Sequence, residues 1–313
     1  FFSICLIQNL IFNISNSVAF IKNKYTKTVI ANVISQLIGI FSIILFYKKF
    51  GLIIFAISYL ITQIIAMIFL IDVLELKKTF EYTFKNSLNV LYDVVQSIKS
   101  WSIISFQTLI SKLAMFLDRS FSVRFLDAGY LSAFNYAQSV CDIPSLMISS
   151  TLGTTTYVEQ SKLAKGDYDL FKRYSLKMFN VIFYLSIFIQ NIILLFAPFI
   201  IMVLFRRGQF NNDAVIKALV PFELLSIAIV PTLLVTFLNR TLYVVGAFKE
   251  SFLCNVFQVA SKTLLLFFFI NKIYHIIPLS SIICVNVSFI LSLIFLFKII
   301  RFINVNKVYI YIL

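Results

Sequence analysis

The 313-residue chain has one histidine, one tryptophan, seven glycines and thirteen acidic residues. A lone imidazole, with no paired acids in any polar stretch, excludes the metal-assisted or acid–base chemistry of a membrane-edge enzyme such as a glycosyltransferase or lipid phosphatase. The sparse glycines form no glycine-rich loop of the kind that cradles phosphates. Cys5, Cys141, Cys254 and Cys284 are scattered through apolar runs, which is neither a disulfide framework nor a metal-ligand spacing. Charge is scarce too, at 13% of residues against about 25% in an ordinary soluble domain. What fills the chain instead is apolar: 60% of residues, 36 of them Phe, with a mean hydropathy of +0.96. No single water-facing globule could hide that surface. The charge that exists is lopsided, at +14 with a pI near 9.6. Its cations lie between apolar runs, which points to a membrane surface and away from nucleic acid.

A helix crosses the hydrocarbon core in about 20 residues. Nine runs are long enough, at about 1–21, 28–47, 50–74, 100–126, 131–158, 176–205, 214–239, 250–270 and 276–300. They are continuously apolar rather than alternating, so helices are expected and a β-barrel is not. The expected fold class is therefore all-α, a polytopic membrane bundle of nine transmembrane helices. Loops after the odd-numbered spans carry seventeen Lys and Arg against six after the even ones. The positive-inside rule then puts the odd loops in the cytoplasm and Phe1 outside. The expected organisation is three helices over 1–74, a cytoplasmic amphipathic linker over 75–99, six helices over 100–300, and a connector from 301 to 313. Residues 159–174 (EQSKLAKGDYDLFKRY) form a second polar segment, either resting on headgroups or simply solvated. The chain opens on Phe1 rather than Met, and so reads as a piece of a longer protein.

Charges inside spans are informative because lipid rejects them, at about 2.5–3.5 kcal/mol or more near the bilayer centre. In span 4, Lys112 and Arg119 stand seven residues apart and share a face. That face suits an anionic headgroup such as a pyrophosphate, or else structural ion pairing. Asp118 points about 100° away and could hold a cation or neutralise a lysine. Arg124 is expected to snorkel to the surface. Ser132, Asn135, Ser139 and Asp142 make one polar stripe along span 5, either the wall of a hydrated cavity or a seam of helix–helix hydrogen bonds. In span 8, Lys262 lies mid-membrane with Gln258 one turn before it, and its ammonium is expected to pair with Asp118 across the bundle. His275, at the end of span 8, and Trp101 read as interface residues.

Three stretches resemble the MurJ/MviN family of lipid II flippases, within the superfamily of polysaccharide and multidrug exporters. LSAFNYAQSVCDIPSLMISSTLGTTTYVEQSKLAKGD (131–167) is similar to the family's Ser, Asn-Tyr-Ala, Pro and small-residue helix ending at Gly-Asp. LFRRGQFNNDA (204–214) resembles its Leu-Phe-x-x-Gly-x-Phe loop, and RTLYVVGAFK (240–249) its Arg-x-x-Tyr-x-x-Gly turn. The resemblance implies spans four to twelve of a fourteen-helix, two-lobed flippase, with the opening three and last two helices absent. It implies export of an undecaprenyl-pyrophosphate-linked glycan across the bacterial cytoplasmic membrane by alternating access. The partners implied are the lipid-linked oligosaccharide, membrane lipids and cell-wall synthesis enzymes. No cofactor or metal is expected, while coupling to Na+, H+ or the membrane potential is.

Substrate contact is assigned to Lys112, Arg119, Ser132, Asn135, Ser139 and Asp142, and cation coupling to Asp118, Gln258 and Lys262. Two departures from the family pattern stand out. Gln138-Ser139 replaces the family's Asp-Arg, so a cavity arginine is missing. Lys262 falls near the place of an acid or amide, so a built-in ammonium would stand in for a bound ion. The alternatives are an O-antigen or capsule-unit flippase, a multidrug exporter on the same scaffold, or a degenerate scaffold that does not transport.

Overall fold

The computed structural model describes residues 11–15, 17–19, 22, 24–74, 87–126, 129–205, 212–273 and 275–302. Among the described residues there are helices and no strand. In chain order the helices are α1 (Tyr25–Phe50), α2 (Ile53–Leu74), α3 (Ser87–Phe125), α4 (Tyr130–Gly166), α5 (Tyr168–Leu195), α6 (Ala197–Phe205), α7 (Asn212–Ile227), α8 (Ile229–Val244), α9 (Phe248–Phe269) and α10 (Ile276–Phe302). Chain contacts divide them into two compact units, Phe1–Val94 and Val95–Leu313.

In the first unit α1 and α2 pack along one another across the turn at Gly51-Leu52. Ser42 and Ser58 both donate to the carbonyl of Gly39, at 2.7 and 2.8 Å, the second bond crossing between the helices. Small residues and hydroxyls of this kind let helices approach where no hydrophobic effect drives them together. Ala31 of α1 and Leu70 of α2 are buried together with Ala19, which precedes α1.

The second unit has one continuous core. Phe134 and Ala137 of α4, Ile182 of α5, Phe222 of α7, Leu234 and Leu238 of α8, Leu266 of α9 and Ile277 of α10 are all buried in it. α8 is the central element, with ten residues buried along its 16. Large apolar side chains also cover the outside: Leu146 is 65% exposed, Tyr184 69% and Phe267 70%. In water such a surface would aggregate; in a bilayer it is the face that lipid wets.

Five helices, α1, α2, α5, α9 and α10, are long and apolar enough to cross a membrane, and the bent pair α7–α8 makes a sixth. The two longest helices, α3 and α4, fall short of that apolarity because they carry the polar groups described below. The first expected span lies largely outside the described residues.

Three expected boundaries move. Residues 87–99 form the first turns of α3, which runs unbroken into expected span 4; residues 75–86 lie outside the described residues. Residues 159–174 are no loop, since α4 continues to Gly166 and α5 begins at Tyr168. Asp167 alone makes the turn, with an extended backbone and a carboxylate that accepts from the Leu170 N–H at 3.0 Å. That is an N-cap, and it ends one helix and starts the next within a single residue. Expected span 6 starts eight residues early and breaks at Phe196 into α5 and α6.

The 41° bend between α7 and α8 has a local cause. Pro231 lacks the N–H that would reach the carbonyl of Ile227, four residues back. Gln190 of α5 fills the gap. In one orientation of its amide, Oε1 accepts from the Val230 N–H at 3.4 Å; in the reversed orientation, which its neighbours favour, the nitrogen donates to the carbonyls of Ser226 at 3.3 Å and Ile227 at 3.0 Å.

Candidate functional site

Lys262 of α9 and Asp118 of α3 meet inside the second unit. The Lys262 Nζ donates to Asp118 Oδ2 at 2.6 Å, with the two side chains 15% and 8% exposed. An ammonium and a carboxylate this little exposed persist only as partners. The second carboxylate oxygen, Asp118 Oδ1, is buried and accepts no hydrogen bond among the described residues.

Beside the pair is a cavity of about 210 Å³. Asp118 from α3, Gln138, Asp142 and Ser145 from α4, Thr232 from α8, Gln258 and Lys262 from α9, and Ser281 and Cys284 from α10 all line it. It is polar and roomy enough for several water molecules. Two carboxylates against one ammonium leave the lining one negative charge in excess, the sign that attracts a cation or retains a proton.

Of the residues singled out from the sequence, the fold thus gathers Asp118, Asp142, Gln258 and Lys262. The other five lie elsewhere. Lys112, Arg119, Ser132 and Ser139 are exposed, Asn135 is half-buried, and none of the five lines this cavity. Ser139 bonds back to its own helix, donating to the Asn135 carbonyl at 2.7 Å. The polar stripe of span 5 is therefore divided: Asp142 faces the cavity together with Gln138, which was not singled out, while the serines do not.

A second polar group was missed from the sequence. Tyr243 donates to Gln107 Oε1 at 2.8 Å, Gln107 Nε2 to Ser251 at 3.4 Å, and Ser251 to Asn239 Oδ1 at 3.0 Å. Asn255 adds bonds to the Gln107 carbonyl at 3.3 Å and to Ser111 Oγ at 3.0 Å. Arg240 donates to the carbonyl of Ser149 at 2.8 Å, through space left open by Gly153. Gln160, fully buried, donates to Ser175 at 2.9 Å and Thr241 at 3.2 Å. The signal for much of this lay in the stretch RTLYVVG. Arg240 and Tyr243 make these contacts, and Gly246 (φ 76) closes α8 with bonds from Ala247 N to Leu242 O at 2.8 Å and from Gly246 N to Tyr243 O at 3.1 Å. That paired capping pattern needs the left-handed backbone glycine adopts most easily.

The model of one protein family, described as lipid II flippase MurJ, matches residues 1–312. The chain belongs to the MurJ lipid II flippase family. A solved MurJ, described as a lipid II flippase in an inward closed conformation, superposes with a TM-score of 0.66 at 16% identity, covering 96% of this chain and 63% of that one. A multidrug resistance MATE family transporter of the MOP superfamily, in an outward-facing conformation, gives a TM-score of 0.74 at 14% identity, covering 88% of this chain and 62% of that one. A MATE in complex with MaL6 gives 0.73 at 14% identity, covering 93% and 67%. No curated protein matches. At these identities the structural likeness shows the fold alone, that of a multi-pass helical membrane protein. The chain spans somewhat less than two thirds of the length of the first two structures it matches.

Proposed function

We propose that the chain forms part of a flippase that moves an undecaprenyl-pyrophosphate-linked glycan across the bacterial cytoplasmic membrane by alternating access, and that it is a transporter rather than an enzyme. Loops after odd-numbered spans are placed in the cytoplasm on their surplus of cations, with Phe1 outside. Membership of the MurJ family over nearly the whole chain supports the substrate class. The observation that carries a transport role is the buried Asp118–Lys262 pair opening onto a polar cavity shared with Asp142. An apolar bundle with only a structural task has no use for a negatively charged chamber.

The charges divide the labour. An acid-rich cavity is a poor seat for pyrophosphate, so Asp118, Asp142, Gln258 and Lys262 are assigned to coupling, with the Lys262 ammonium occupying the place of a bound cation. This moves Asp142 from substrate contact to the coupling group. Lys112 and Arg119, exposed on α3, with Ser132, Asn135 and Ser139 on α4, are assigned to the substrate.

The negative cavity and the MATE-like fold favour one second reading, a multidrug exporter that binds organic cations. Reconstitution into vesicles separates the two. With a fluorescent undecaprenyl-pyrophosphate disaccharide in one leaflet, the protein is expected to speed its appearance in the other, and Lys112→Ala/Arg119→Ala to slow it. Export of a cationic dye without glycan-lipid movement would establish the second reading; movement of neither would reduce the protein to a scaffold.

A further inference from the structure

Three side-chain contacts join α3 to α9, and all have one sequence offset. Gln107 meets Ser251, Ser111 meets Asn255 and Asp118 meets Lys262, each 144 residues apart. A constant offset means that the helices run parallel and in register. Along α3 the rungs fall at i, i+4 and i+11, and Ala114 with Gln258 completes a 4-3-4 spacing at the same offset. That is the spacing of a seam between two helices crossing at a shallow angle.

Among the described residues α3 and α9 are joined by the side chains of Gln107, Asn255 and Lys262. Among the described residues α3 packs on the apolar core through Phe121 near its end, while Leu109, Leu113 and Phe116 face outward. Gln258, at the same offset from Ala114, lines the cavity.

We propose that Gln107, Ser111 and Asn255 are positioning residues. Together they form a polar ladder that sets the register at which Asp118 meets Lys262 at the edge of the cavity. Apolar packing could not fix that register, because a greasy helix sliding one turn, about 5.4 Å, trades one set of methyl contacts for another. A hydrogen-bonded rung has no such substitute in lipid. The same slide would carry the Asp118 carboxylate past the ammonium and leave both charges buried alone. Register here is independent of what is transported; its value for transport rests on the function proposed above.

Two measurements on the whole chain test it. The first is a double-mutant cycle on thermal stability. In the native background Asp118→Asn and Lys262→Gln are expected to be strongly non-additive. In a Gln107→Leu/Asn255→Leu background they are expected to become additive, because the pair no longer meets. Persistence of the full coupling in that background would overturn the proposal, since a merely stabilising role lowers the melting temperature without uncoupling the pair.

The second keeps the ladder intact and serves if the leucine variant does not fold. In a chain freed of native cysteines, Ala114→Cys is combined with Cys254 restored, Gln258→Cys or Ser261→Cys and treated with a short bis-methanethiosulfonate. Cross-linking several-fold faster at 258 than at either neighbouring turn is expected, and equal or faster reaction at 254 or 261 would overturn the register. A correct register with no glycan-lipid movement would count against the flippase proposal and leave the ladder standing.

Discussion

The guanidinium of Arg240 occupies the space that a side chain at position 153 would need, and from there donates to the carbonyl of Ser149 at 2.8 Å. A Cβ on Gly153 would fall within bonding range of the guanidinium, so the arginine must leave or α4 must move away from α8. Gly153→Ala is expected to cost roughly what a charge-assisted hydrogen bond contributes, about 1.5–3 kcal/mol. Arg240→Ala is expected to cost a similar amount, and the double variant little more than either. Unfolding midpoints in detergent check this, and full additivity would show that the two residues act separately.

Gln190 and Pro231 make a second coupled pair. Gln190→Leu should leave the carbonyls of Ser226 and Ile227 without a donor at the bend, at about 1–3 kcal/mol. Pro231→Ala restores an N–H four residues after Ile227 and is expected to recover part of that loss. If Pro231→Ala lowers the melting temperature equally with Gln190 present or absent, the amide does not serve the broken helix.

For Asp118 and Lys262, removing one partner leaves the other charge largely buried without its counter-ion. Asp118→Asn or Lys262→Gln alone is expected to destabilise by about 3–5 kcal/mol, whereas Asp118→Leu/Lys262→Met, which removes both charges, should be milder. Thermal melts order the three variants. Transport is expected to follow a different order, failing in the apolar double variant even though it is the better folded one.

His275 sits in the turn between α9 and α10, its ring 6.1 Å from that of Tyr130. Burial holds its imidazole pKa below the usual 6.5, so near pH 7 it is neutral. An unfolded chain takes up this proton more readily than the folded one, so the contribution to stability is present above pH 6.5 and declines as the pH falls below it. A pH series of melting temperatures should show that decline, and His275→Phe should flatten it. An unchanged slope in the variant would assign the acid sensitivity to other groups.

Much of this was legible in the residues. Continuous apolar runs name helices and a membrane because a helix satisfies its own backbone in lipid. The pairing of Asp118 with Lys262 follows from the cost of leaving either alone. The choice of face did not follow. Ser111 and Asp118 are seven residues apart, and so are Lys112 and Arg119, one residue and about 100° further round the helix. Drawn on a helical wheel, either pair could point inward. Charge alone favours the lysine and arginine, whereas the fold turns Ser111 and Asp118 toward α9.

Sequence alone determined the class of molecule, its family and the need for a wet chamber, since hydropathy and the penalty on buried charge are properties of the residues themselves. Tertiary structure decided which polar groups share that chamber and where helices end. Asp167 could become a one-residue turn only because α4 and α5 pack beside each other. Gln138 and Asp142, one turn apart on α4, reach the chamber only because α4 turns that face toward α9 and α10. Both depend on which helix lies opposite, and a polar rung has a meaning only when the side chain across the gap, 144 residues away, is in place.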